Sequence, residues 1–215
     1  MFRRRLLNTA MSLGLGLGLA ALPLVSAYAW EAQVDSIKNH WERVITEQPE
    51  GERAARLRTL ASQAERLVAE HPDAAMPQVW LGIVEASHAR ERSGLGALSS
   101  ARSARDALET AIELDSRGAD GSAYVTLGAL YDRVPGGLVG FGNSDTAERM
   151  FQRALEIRPE GIDVNYYYAA FLEEEGRLDE ARVHARRAGE GEARPDRVAS
   201  DESLREKARG LFERL

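Results

Sequence analysis

The four histidines of this sequence are the first residues to consider for chemistry, because an imidazole can bind a metal or transfer a proton near neutral pH. They are His40, His71, His88 and His184, and their spacing fits no metal-binding motif. The chain has no cysteine, no His-Glu-x-x-His run and no nucleophile elbow. The sequence therefore predicts a protein that is not an enzyme and that uses no metal and no cofactor.

A glycine-rich segment between Val134 and Asp145 offers a second candidate site. Its Gly137 and Gly142 have the spacing of a phosphate-binding loop, but Asn143 follows where that loop needs a lysine, so we reject phosphate binding. Two interpretations remain open: a plain insertion in a solvent-facing turn, or a shaped loop that folds apolar side chains over the edge of the helices. A shaped loop could be purely structural, or it could contact a ligand or partner. The candidate loop residues are Pro135, Gly136, Gly137, Leu138, Phe141 and Gly142.

The helices that flank this segment must position it, and their apolar residues recur with helical spacing. The first helix carries Tyr124, Leu127, Gly128 and Tyr131 on one face, and the second carries Ala147, Phe151, Ala154 and Leu155. This arrangement resembles the tetratricopeptide repeat (TPR), a helix–turn–helix unit of about 34 residues. No segment alternates with the period of a strand. We therefore predict an all-α fold, an α–α superhelix of the TPR type.

Related patterns divide the rest of the chain into units, since each helix pair buries its apolar face only against its neighbours. The predicted repeats span about residues 30–72, 75–116, 121–159 and 162–193 of one domain, 30–215. Residues 189–200 are predicted to be a connector. Residues 201–215 form one apolar stripe and are predicted to be a capping helix, with Asp201 as its N-cap. Asp145 and Glu148 are predicted to form a capping box after the glycine-rich segment.

A stack of such pairs leaves the first helix of each unit facing a concave groove, which is where a partner is expected to bind. The groove is predicted to be apolar at one end and acidic and aromatic at the other, a chemistry suited to a helix or strand of a protein partner. Tyr166 could bond a ligand through its hydroxyl. The candidate residues are Val79, Ile83, Val125, Ala129, Asp132, Arg133, Tyr166, Ala170 and Glu173.

The N-terminal residues predict export. Arg3, Arg4 and Arg5 precede an uncharged apolar run, and Ala27 and Ala29 hold the small-residue positions of a signal peptidase site. We predict a signal peptide over 1–29, cleaved after Ala29 to leave a soluble periplasmic chain, with an uncleaved membrane anchor as the alternative. The segment does not distinguish general secretion from twin-arginine export. The net charge of −6 argues against a nucleic-acid partner.

The run VPGGLVGFGNSDTAERMFQRALEIRPEGIDVNYYYAAFL, with RPDR before the final helix, resembles the T-component of TRAP transporters and related exported bacterial TPR proteins. The resemblance covers roughly residues 55–215 and is most specific around 131–172. It implies a protein that assists a periplasmic solute-binding protein and that can assemble into homo-oligomers. T-components are often lipoproteins and commonly longer; this chain has no cysteine to carry a lipid.

These observations predict a periplasmic adaptor or scaffold that binds a protein partner, for which a TRAP-type solute-binding protein is one candidate. Two alternatives remain. The chain could be a small-ligand-binding transport accessory in which residues 135–144 and Tyr166 enclose a molecule. It could also be a general scaffold or chaperone for envelope assembly.

Overall fold

Nine α-helices and no strand make up residues 24–215, the part of the chain that the computed structural model describes, with side chains described from Trp30 onward. The helices are α1 (Leu24–Glu47), α2 (Glu50–Glu70), α3 (Ala75–Arg90), α4 (Gly94–Leu114), α5 (Ser122–Arg133), α6 (Ser144–Ile157), α7 (Ile162–Glu174), α8 (Leu178–Glu190) and α9 (Val198–Arg214). The prediction of an all-α fold is confirmed. The predicted signal peptide falls largely on residues 1–23, outside the described residues.

The helices form two layers because each even-numbered helix packs against the odd-numbered helix before it. The odd-numbered helices also contact one another in order, α1 with α3, α3 with α5 and α5 with α7. Within the ranges given for these helices, no contact joins the even-numbered helices α2, α4, α6 and α8 to one another. The odd-numbered helices are therefore the continuous inner row of a solenoid, and the even-numbered helices are its outer row.

Two glycines allow the paired helices to approach closely. A methyl group on Gly82 of α3 would lie 2.4 Å from Leu108 Cγ of α4, and one on Gly128 of α5 would lie 2.6 Å from the ring of Phe151 of α6. Both partners are fully buried. The same contact, a glycine on the inner helix against a large apolar side chain on the outer helix, thus recurs in successive pairs.

The glycine-rich segment is a tight loop, and part of it packs. Gly142 N–H donates to the Pro135 carbonyl at 3.1 Å, and a side chain on Gly142 would collide with the Val134 carbonyl oxygen, 1.8 Å from its Cβ. Phe141 packs edge-on against Tyr131, with ring centroids 5.4 Å apart. The apolar tip does not pack, since Leu138 and Val139 are exposed. Phe141 therefore packs as the shaped-loop interpretation expects, whereas Leu138 and Val139 at the tip do not.

The predicted capping box at the start of α6 is wrong. The N-cap is Asn143, whose side chain accepts a hydrogen bond from Thr146 N–H at 2.8 Å. Glu148 faces the next repeat instead, where it accepts from the Tyr168 hydroxyl at 2.8 Å and pairs with Arg177. A contact across two repeats has replaced the local one because Glu148 is within reach of a cation there.

The C-terminal segment, residues 191–215, returns from the last repeat to the first. Helix α9 packs on α8 and also contacts α7 and α1, the two ends of the inner row. Two residues of its apolar stripe, Ala208 and Leu211, are fully buried. The helix begins at Val198, so Asp201 is not its N-cap, contrary to the prediction. Asp201 is buried in the first turn and accepts three hydrogen bonds from Arg194.

Within residues 24–215, no helix combines the length and the apolar character that crossing a membrane would need.

Candidate functional site

The concave side of the solenoid is partly filled by the chain's own C-terminal segment. Ser200 N–H donates to Glu42 Oε1 of α1 at 2.9 Å, and Lys38 of α1 pairs with Asp196 at 3.0 Å. At the other end, Leu211 of α9 packs in one cluster with Ala170 of α7. The groove predicted from the sequence is therefore not open along its whole length.

A buried ion-pair cluster anchors this segment to α7. Asp163 lies in the first turn of α7 and accepts a hydrogen bond from Arg158 at 2.6 Å, and its second oxygen lies 3.1 Å from Arg194 Nη2. Arg194 also pairs with Asp201 at 2.6 Å. Burial opposes ionisation of Asp163, but the charges of Arg194 and Arg158 outweigh it and hold the pKa of its carboxyl below the usual value.

Three residues predicted to line the apolar end of the groove are core residues instead. Val79 and Ile83 of α3 are buried in a cluster with α1 residues such as Trp41, and Val125 of α5 is buried with Val164 of α7. Neighbouring inner helices meet along the face that these residues occupy, so a partner cannot reach them. Ala170, also predicted for the groove, is covered by α9.

The remaining predicted groove residues stay accessible toward the end of the inner row. Arg133 at the end of α5 is exposed, and Ala129, Asp132, Tyr166 and Glu173 are partly exposed. Arg133 Nη2 lies 3.1 Å from Glu174 Oε1 of α7. Glu173 receives two hydrogen bonds of 2.9 Å from Arg214 of α9. We call this accessible set the open groove; its residues are Ala129, Asp132, Arg133, Tyr166, Glu173 and Glu174.

Two ionisable groups in the open groove are partly withdrawn from water. Burial raises the pKa of Tyr166, and the charges of Arg133, Arg214 and Arg90 act in the opposite direction. Burial also raises the pKa of Asp132, which Arg133 opposes by pairing with it at 2.9 Å. The open groove thus offers an aromatic ring beside a partly desolvated acid and an exposed cation, a combination that favours polar and aromatic contacts with a protein surface.

The glycine-rich loop is built against α4 and α5. Arg102 of α4 donates to the Val139 carbonyl at 3.0 Å, and the Arg105 guanidinium lies 4.8 Å from the Phe141 ring centroid. A cavity of about 210 Å³ lies nearby, lined by Glu109, Ile112, Tyr124, Leu127, Tyr131, Thr146 and Met150. Neither Tyr166 nor a residue of 135–144 is among these lining residues. The cavity is smaller than the range of about 300–1,000 Å³ usual for small-molecule sites.

The sequence reasoning missed the residues that fill the other end of the concave side. Arg194 and Arg197 were predicted to lie in a connector. Trp41 was predicted only to lie on the apolar side of the first helix, and neither Trp41 nor Trp80 was assigned to a site. In the structure the Arg197 guanidinium lies over both indoles, 4.7 Å from the Trp41 centroid and 5.4 Å from that of Trp80. The pair of arginines in RPDR, within an acidic chain, was the available signal.

The histidines are dispersed in the structure as well. Among the described residues there is no group of three or more His, Cys, Asp or Glu side chains that could hold a metal ion. His88 is buried and lies 3.1 Å from Ser100 Oγ. His184 packs against the Tyr168 ring, and its Nδ1 lies 2.8 Å from Asn165 Oδ1. Because both Asn165 Nδ2 hydrogens go to backbone carbonyls, His184 is the donor in this contact.

We expect His184 to make folding sensitive to mild acid. Burial lowers the pKa of its imidazole to about 4, with Arg187 acting in the same direction, from 6.5. Between pH 6.5 and 4 the imidazole is protonated in the unfolded chain and neutral in the folded chain. The stabilisation from the neutral imidazole is therefore complete above pH 6.5 and is lost as the pH falls toward 4. For a half-buried group this amounts to about 2 kcal/mol. Urea unfolding at a series of pH values measures it.

Two histidine variants provide the comparison for this measurement. H184Q should lose the part of the pH dependence that lies between pH 6.5 and 4, whereas H40Q, at an exposed position, should keep it. A wild-type curve that superimposes on that of H184Q across this range would contradict the assignment.

The architecture defines a class: a solenoid of helix pairs whose inner row is partly covered by its own last helix. Residues 138–200 match the family described as tetratricopeptide repeat. A solved thermophilic TPR protein from Thermus thermophilus has a similar fold, with a TM-score of 0.57 at 19% identity over 88% of this chain and 95% of that one. No curated protein matches this chain. The fold is thus of the TPR type. At 19% identity the comparison establishes the fold alone.

Proposed function

We propose that this protein is a scaffold that binds a protein partner through the open groove. The observation that carries the proposal is the accessible position of Tyr166, Arg133 and Glu173 on the inner row, whereas the apolar residues predicted for the groove are buried in the core or covered by α9. A TPR-type fold supports it, because stacked helix pairs present an extended concave surface for binding.

The chemistry of the open groove favours a polypeptide segment with both aromatic and charged groups. Tyr166 presents a half-buried ring, packed edge-on against Tyr167 at 5.2 Å. Three arginines lie around it: Arg90, Arg133 and Arg214. Arg133 pairs with Glu174, and Arg214 pairs with Glu173. A partner can exchange these surface ion pairs for its own at little cost, since exposed pairs contribute about 0–1 kcal/mol.

We propose further that the partner is periplasmic and that a solute-binding protein of a TRAP-type transporter is the first candidate. The support for this is the sequence resemblance around 131–172 and the signal-peptide pattern of residues 1–29. A general role in envelope assembly would use the same groove with other partners. The identity of the captured protein distinguishes the two.

Substituting single residues of the open groove should weaken capture of the partner without unfolding the chain. We expect Y166A and R133A each to weaken binding of the partner about 10- to 30-fold, because central aromatic and arginine residues contribute most of the affinity of such interfaces. The measurement is quantitative pulldown from periplasmic extract by the tagged protein, with mass spectrometry of the captured protein. Circular dichroism and thermal unfolding of each variant accompany it.

R58A serves as the matched control for R133A, because Arg58 is an exposed arginine on the outer helix α2. It should bind like the wild type. If Y166A and R133A remain folded and capture the same protein as strongly as R58A does, the open groove is not the binding surface. If nothing is captured from periplasm but a purified TRAP-type solute-binding protein binds directly, the partner proposal still holds.

The small-ligand alternative has one observation in its favour, the cavity of about 210 Å³ between α4, α5 and α6. A molecule of a few heavy atoms would fit among its apolar lining residues. It would bind beside Tyr131 and away from Tyr166, since Tyr166 does not line this cavity. A small ligand that raises the melting temperature of the wild type and of Y166A equally would support this alternative.

A further inference from the structure

The tip of the glycine-rich loop holds two apolar side chains in solvent. Leu138 is as exposed as it would be in an extended chain, and Val139 is 62% exposed, although leucine and valine are usually buried. Neither residue lines the cavity beside Tyr131, and neither belongs to the open groove. The tip is therefore an apolar surface that the proposed function does not use.

The backbone of the loop keeps this tip in one position. A Cβ on Gly140 would lie 2.0 Å from the Pro135 carbonyl oxygen, so the loop closes on itself without room for a side chain there. Arg102 of α4 also donates to the Val139 carbonyl at 3.0 Å. Ordering a loop costs conformational entropy, which a solvated linker need not lose. The ordered loop presents Leu138 and Val139 to the outside.

A third exposed leucine lies on the same side of the molecule. Leu95, in the first turn of α4, is 84% exposed. It precedes Arg102 by seven residues, so the two share one face of α4 and lie about 10 Å apart along its axis. Because Arg102 holds the tip of the loop, this face of α4 continues the apolar surface of the tip. We call Leu95, Leu138 and Val139 the apolar edge.

Two arginines accompany the apolar edge. Arg92 lies against the backbone of Gly96, where a Cβ would meet its Nη2 at 2.2 Å, and Arg102 lies under the tip. Both side chains are exposed, and no ion pair among residues 30–215 includes either of them. The stretches 92–105 and 134–144 contain no acidic residue. The exposed leucines are therefore next to cations that can bind an anion.

The acids at the borders of these stretches keep the excess of positive charge small. Glu91 and Asp106 each pair with a neighbouring arginine, and Asp145 is exposed in the first turn of α6. Residues 90–106 and 134–145 together contain four arginines and three acids. Charge alone would attract an anionic surface only weakly, so the apolar side chains must supply most of the binding.

We propose that the apolar edge docks on the surface of a lipid bilayer, with Leu138 entering the boundary of the acyl chains and Arg92 and Arg102 beside the headgroup phosphates. Apolar side chains flanked by arginines are typical of surfaces that lie in this interface. A tip that protrudes fits a bilayer, which deforms around it, whereas a protein partner would need a matching cavity. The apolar edge shares no residue with the open groove, so this proposal does not depend on the proposed protein partner.

Binding of the intact chain to vesicles tests the proposal. The vesicles are phosphatidylcholine with about 30% phosphatidylglycerol, and sedimentation gives the partition coefficient. L138E should lower this coefficient at least about tenfold, because burial of one leucine side chain changes an equilibrium constant by that much. L114E is the matched control and should bind like the wild type, since Leu114 is an exposed leucine at the opposite end of α4. The N-terminal apolar run is the same in every variant and cannot cause a difference between them.

A fluorescent label locates the contact. Because the chain has no cysteine, L138C and L114C can each carry one NBD group at a single place. On vesicles, the label at position 138 should brighten and shift to shorter wavelength, whereas the label at position 114 should not change. If L138E fails to fold, as judged by circular dichroism, these two labels decide.

The lipid proposal is overturned if folded L138E binds vesicles as the wild type does, or if the two labels respond alike. It is also overturned if the wild type binds no vesicles but forms a dimer, seen by light scattering, that L138E abolishes. In that case the apolar edge binds a second copy of the chain.

Discussion

Replacing Asp163 with asparagine is expected to lower the free energy of unfolding by about 3 kcal/mol. The side chain is 5% exposed and holds Arg158 and Arg194, which are themselves largely buried. Removing its charge leaves two arginines without their shared carboxylate in a poorly solvated place, which is the costly way to break a buried ion pair. Asparagine keeps the shape, so the loss reports on charge. Urea unfolding at neutral pH measures it.

The same substitution should loosen residues 191–200 before the rest of the chain, because Arg194 links this part of the C-terminal segment to α7. Hydrogen exchange of the amides in residues 191–200 would detect that opening. D179N is the matched control, since Asp179 is exposed in the first turn of α8, and its effect should stay within about 0.5 kcal/mol. If D163N is as stable as D179N, the ion-pair cluster does not hold the segment.

Truncating Phe151 to alanine should be still more damaging, by about 3–5 kcal/mol. Phe151 is fully buried and lies where two repeats meet: its ring covers Gly128 of its own pair and packs against Tyr168 and Phe171 of the next. Alanine would leave a cavity that three elements line, and the backbone of a packed solenoid cannot close it. Chemical unfolding monitored by circular dichroism measures the loss.

Gly128 offers a coupled test of the same contact. A methyl group there would meet the Phe151 ring at 2.6 Å, so G128A should destabilise the wild type by about 1–3 kcal/mol. In an F151L background the smaller side chain should accommodate the methyl group, and the two effects should not add. L178A, at a half-exposed position on α8, is the neutral control. Additive losses would show that the two residues do not compete for the same space.

The fold could be predicted from sequence because its information is local. Each helix needs only an apolar face with helical spacing, which the sequence shows for α5 at Tyr124, Leu127 and Tyr131. The groove could be predicted only in part. Which face of α3 meets α1 depends on how the repeats rotate against one another, so Val79 and Ile83 were assigned to the partner-binding groove although they lie in the core.

The position of the C-terminal segment was harder still to predict, because its contact residues lie far from it in the sequence. Ser200 bonds to Glu42, and Arg194 to Asp163, and no local pattern around residues 189–200 indicates either partner. The sequence predicted a connector there, because polar, proline-containing stretches usually connect helices at the protein surface. In this chain the polar side chains are the packing elements.

The contact of α9 with α1 changes how the array should come apart. A linear stack of repeats is held by nearest neighbours alone, so its terminal units can fray while the middle stays folded. Here the last helix grips the first through Ser200 and Glu42, and fraying at either end would have to break that grip. The chain is therefore expected to melt as one cooperative unit, because the contact between α9 and α1 prevents either end from unfolding independently.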